Sequence, residues 1–108
     1  MNKSLLSILN AENDIIATIR CAESRLDAWR RELVRVMARK PELKDDCDSE
    51  IYLELFEKNR KSNADFVQLN ITNEKANIES LQRELECVRS EMRIYFAMLF
   101  EKGGKGNG

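Results

Sequence analysis

Between Leu5 and Val36 the apolar positions advance by alternating steps of three and four. Leu5, Ile8, Ile15, Ile19, Ala22, Leu26, Trp29, Leu33 and Val36 fall on one edge of a helix, and only Glu12 interrupts them. That is an a/d heptad seam, the pattern of a helix that packs lengthwise on a neighbour. Leu9, Ile16 and Met37 widen the stripe as a bundle helix requires, so Trp29 and Met37 read as core. Ile78, Leu81, Leu85, Val88, Met92, Tyr95 and Leu99 repeat the pattern, with good helix formers and opposite charges between them. The stretch between these seams is weaker. Ile51, Leu55, Phe56, Phe66, Leu69 and Ile71 are apolar, but Asn59, Asn63, Asn70 and Asn73 dilute the period. Helix propensity is lowest at "LNITN", where the helix continues, kinks, or breaks with Thr72 as a new N-cap.

These patterns predict an all-α chain: a long antiparallel, coiled-coil-like helical hairpin, or a three-helix bundle if the second helix breaks near Asn70–Asn73. The expected elements are a helix over about 3–39, a turn over 40–48 and a helix over about 49–101. Together they make one helical domain over 1–102, followed by a flexible tail, "GGKGNG", over 103–108. Glycine and proline usage agrees, because all four glycines lie in the last six residues and Pro41 is the only proline. The two helices differ in length, roughly 55 Å against roughly 80 Å at 1.5 Å per residue. The surplus holds "RIYFAMLF", whose apolar side chains reach around most of the helix. Tyr95, Phe96, Leu99 and Phe100 are therefore the candidate partner-binding residues. The partner is another protein or a second copy of the chain, with a dimer as the first expectation.

The acidic stretch around Pro41 raises a different possibility. Counted from Asp46, residues Asp48, Glu50 and Glu57 take the third, fifth and twelfth positions of a calcium loop. The sixth position of such a loop needs glycine for its sharp turn, and here it is Ile51. Turn and cap chemistry accounts for the same residues. Pro41 cannot extend the first helix. Asp48 or Ser49 can cap the second, and Glu50 suits its positive end. Arg35, Arg39 and Lys40 suit the negative end of the first helix.

Composition narrows the function. Eighteen basic and nineteen acidic residues leave a net charge of -1, so bulk charge does not point to nucleic acid or to an acidic membrane. No segment approaches a membrane span or a signal-peptide core, and the chain reads as soluble and cytoplasmic. Cys21, Cys47 and Cys87 are too scattered for a disulfide framework or a zinc site, and Cys21 and Cys87 read as half-buried helix residues. The chain has no histidine, which removes Ser-His and Cys-His pairs and the usual metal ligand sets. Without internal glycine there is no phosphate loop.

No enzyme activity, cofactor or metal site is expected. The expected function is a helical protein-interaction module: an adaptor, an assembly factor or an inhibitor of a larger complex. The alternative is a small nucleic-acid or nucleotide binder using the basic face of Arg30, Arg31, Arg35 and Arg39. Against that alternative, the face is expected to pair with Glu50, Glu54 and Glu57. Small helical proteins of this composition include phage and mobile-element products that block host machines, a likeness of class only.

Overall fold

The computed structural model describes residues 4–42 and 49–106, with side chains described as far as Glu101. Its two elements are α1 (Leu5–Ala38, 34 residues) and α2 (Ser49–Gly106, 58 residues), and together they form an antiparallel helical hairpin. There is no strand among the described residues. Asp46, Cys47 and Asp48, which carry the calcium-loop and cap readings, lie outside the described residues.

Ser4 starts α1. Its hydroxyl oxygen accepts the Ser7 amide at 3.2 Å, which satisfies one of the donors left open at a helix start. At the other end the Arg39 amide turns back to the Val36 carbonyl at 3.4 Å, and Pro41 follows two residues later. Ser49 and Glu50 open α2, with the carboxylate in the first turn where the helix end is positive.

Contacts divide the chain into two units. One takes α1 up to Ala22 and α2 from Asn77 onward; the other spans Glu23–Ala76. In the first unit Ile8, Ile19, Ala22 and Ile78 are buried, while Leu5, Ile15, Leu81, Leu85, Val88, Met92 and Tyr95 are half-buried. The seams thus meet along their predicted edges as far as Tyr95, whereas Leu99, the last expected seam position, is exposed. Glu12 keeps its seam position by accepting a hydrogen bond from Arg89 Nε at 3.2 Å across the pair.

In the second unit Leu26, Val36, Val67 and Ile71 are buried and Trp29 and Leu33 are half-buried. Here α2 presents Phe56, Arg60, Ala64, Val67, Ile71 and Glu74 to the interior side. Glu74 is held by Arg25, whose Nε and Nη2 donate to Oε1 at 3.1 and 2.9 Å. The Arg60 guanidinium lies over the Phe56 ring at 5.9 Å and donates to Glu57 at 2.7 Å, so the same head group meets an aromatic face and a carboxylate.

The weak stretch does not break. Helix α2 continues through 70–73, so no third helix forms and Thr72 is not a cap. Asn70 Nδ2 donates to the Phe66 carbonyl at 2.9 Å, and Thr72 Oγ1 donates to the Gln68 carbonyl at 3.1 Å. Both side chains bond to the preceding turn, which uses their polar groups inside the helix rather than against it. Ile71 between them is only 3% exposed, and its burial anchors this turn.

Several expected core positions lie elsewhere. Met37 is exposed, and so are Ile51, Leu55, Phe66 and Leu69. The interior ridge of α2 passes one residue away from most of them, at Phe56, Val67 and Asn70. Cys21 and Cys87, expected to be half-buried, are exposed free thiols.

Candidate interaction surfaces

The first surface is the C-terminal part of α2. The Glu12–Arg89 pair sets the local register. Seven residues before Glu12 is Leu5, and seven after Arg89 is Phe96, so α1 begins opposite about Phe96. Leu99 and Phe100 lie beyond that first turn. Tyr95 is half-buried and meets the Phe96 ring edge-on, with centroids 6.4 Å apart and planes at 87°. Phe96, Leu99 and Phe100 are 40%, 47% and 81% exposed. Ile94, Met98 and, on α1, Leu6 are exposed as well. At about 100° per residue, positions 94, 96, 98, 99 and 100 point to every side of the helix. A helix that is apolar all round is ordinarily enclosed, and here α1 covers one side only.

Sequence reasoning placed Tyr95, Phe96, Leu99 and Phe100 at this surface, and the structure brings all four to the same end. It adds Leu6, and it leaves exposed Ile94 and Met98, which belong to the same "RIYFAMLF" stretch. Leu6 sits next to a seam residue but off the seam, and that adjacency was the available signal.

The second surface is basic. Arg31 and Arg35, four residues apart, are exposed on one side of α1, Arg39 is exposed just past the helix end, and Arg30 points about 100° away from Arg31. Arg35 Nη1 donates to Glu32 Oε2 at 2.8 Å within the helix. Among the described residues, no ion pair joins Arg30, Arg31, Arg35 or Arg39 to Glu50, Glu54 or Glu57, contrary to the expected cross-helix pairing. Glu57 is engaged by Arg60 instead.

The third surface is a shallow groove of ≈ 490 Å³ in the second unit, walled by Ala28, Trp29, Val36, Asn63, Phe66 and Val67, with Arg39 at its edge. Trp29 and Phe66 meet edge-on at 6.2 Å and 81°. The groove depends on which α2 ridge lies beside Trp29, and spacing along one helix carries no signal for that.

No group of three or more potential metal-ligating side chains occurs among the described residues. Among the described residues, no helix is long and apolar enough to cross a membrane. Compared with known proteins, the chain matches no family model, no curated protein and no solved structure.

Proposed function

We propose that this chain is a non-enzymatic helical interaction module whose working surface is the C-terminal part of α2, occupied by an apolar helical face of another polypeptide. One observation carries the reading: around Ile94–Phe100, α2 is apolar on every side while α1 covers one. The lack of histidine supports a binding role over a catalytic one. Adaptor, assembly factor and inhibitor all fit a module of this kind.

Phe96→Glu with Phe100→Glu tests it. The variant keeps its helix content and melting temperature, because both side chains are exposed, and it loses the associations that the wild type makes. Marked unfolding of the variant, or association that survives in it, overturns the reading.

A second reading rests on the exposed Arg31, Arg35 and Arg39, which no carboxylate of α2 neutralises by an ion pair among the described residues. It makes the chain a binder of phosphate backbones. Binding to a labelled oligonucleotide then weakens steeply as salt rises. It is lost in Arg31→Glu with Arg35→Glu while helicity is kept. Absent or salt-independent binding removes this reading.

A further inference from the structure

We infer that the occupant of the α2 surface is a second copy of this chain, joined through an antiparallel helix pair centred on Ala97. The inference rests on the proposed function and names its partner.

The face of α2 opposite the seam carries Arg93, Ile94, Ala97, Phe100 and Glu101, the outer four lying three or four residues from Ala97, and all five are exposed. This stripe is complementary to itself. When two antiparallel copies meet with Ala97 beside Ala97, residues whose numbers sum to 194 stand opposite one another. Ile94 then meets Phe100 of the other copy, twice, and Arg93 meets Glu101, twice. Apolar thus meets apolar, and each charge meets its opposite. The centre is alanine, small enough to let two helices approach closely. An isologous contact needs this kind of self-complementary patch.

The charges are available for such pairing. Arg93 Nη2 donates to Ser90 Oγ at 3.0 Å and reaches Glu86 at 3.5 Å; both are exposed contacts within the same helix, with the Arg93 and Glu86 side chains 66% exposed, so they compete only weakly. Between Arg93 and Glu101 no charged residue interrupts the stripe. Phe96 and Met98 flank the contact and close over its edges.

The area fits a reversible dimer. Ile94, Phe96, Met98 and Phe100 expose on the order of 500 Å² per copy, so full coverage of all four would bury about 1,000 Å² for the pair, the size of a weak, reversible contact.

Sedimentation equilibrium of the full chain from about 1 to 300 µM tests this, with a monomer–dimer equilibrium as the expected result. Arg93→Glu alone places like charges together at both symmetric contacts and weakens the dimer by about tenfold or more. Glu101→Arg alone does the same. The two substitutions combined restore it. As an independent readout, Ala97→Cys with the three native cysteines changed to serine oxidises to a covalent dimer through position 97. Monomer throughout, assembly beyond a dimer, or a dimer indifferent to the charge reversals overturns the inference. A wild type that stays monomeric yet binds a different polypeptide, with that binding lost in Phe96→Glu/Phe100→Glu, overturns the second copy as occupant and leaves the proposed function standing.

Discussion

The two units use the same α1 seam against different α2 surfaces. In the first, the α2 ridge is almost wholly apolar: Ile78, Leu81, Leu85, Val88, Met92 and Tyr95. In the second, it passes through Arg60, Ala64 and Glu74, while Leu55, Phe66 and Leu69 remain outside. Local hydrophobicity therefore does not decide which residues of a long helix face inward. The ridge that continues in step with the strong seam is carried inward, and polar residues on it are accommodated by pairing. Glu74 takes Arg25 and Arg60 takes Glu57. Glu12, the one polar seam residue of α1, takes Arg89. These pairs are partly exposed, so each adds little stability, and their larger effect is to fix register.

The comparison breaks most visibly at Ile71. Ile71→Asp puts a charge without a partner into a buried position of the second unit and costs several kcal/mol. Circular dichroism should show loss of most helix well below the wild-type melting temperature. The same change at exposed Leu69, two residues away, leaves the melt nearly unchanged, within about 0.5 kcal/mol. If Leu69→Asp is as damaging as Ile71→Asp, the interior ridge has been placed wrongly. Next in size is Ser4→Ala, which removes the cap of α1 and costs about 1 kcal/mol by denaturant titration. Smaller still is the coupling of Arg25 to Glu74, about 0.5–1 kcal/mol in a double-mutant cycle and weaker in high salt. Zero coupling would assign the inward position of Glu74 to packing alone.

Much of this fold could be read from periodicity. Every seam position of α1 from Leu5 to Val36 is buried or half-buried, and so is α2 from Ile78 to Tyr95. Strong apolar stripes leave one way to orient a helix. The middle of α2 could not be read in that way. Val67 and Ala64 are inside because α1 selects their ridge, a choice that no local count of apolar residues contains. The asparagines around Ile71 signalled a break because their side chains compete with the backbone in isolation. In the folded chain Asn70 and Thr72 bond the turn before them, and burial of Ile71 holds the helix. The Ser4 cap was missed by a helix start set at about residue 3, although a serine just before an apolar run was the signal for it. At the candidate site, sequence located the end of α2 through its length and its aromatic side chains. The symmetric order of Arg93, Ile94, Ala97, Phe100 and Glu101 gained meaning only once the opposite face was known to meet α1.

The central claim is that the apolar turn of α2 around Phe100 is surface for another chain, whereas the turn around Ile71 is core. Denaturant unfolding of Ile71→Ala and Phe100→Ala at about 1 µM, compared with the wild type, tests this most directly. The account predicts a loss of about 2–5 kcal/mol for Ile71→Ala and under about 0.5 kcal/mol for Phe100→Ala. A loss at Phe100 equal to or greater than that at Ile71 would contradict it.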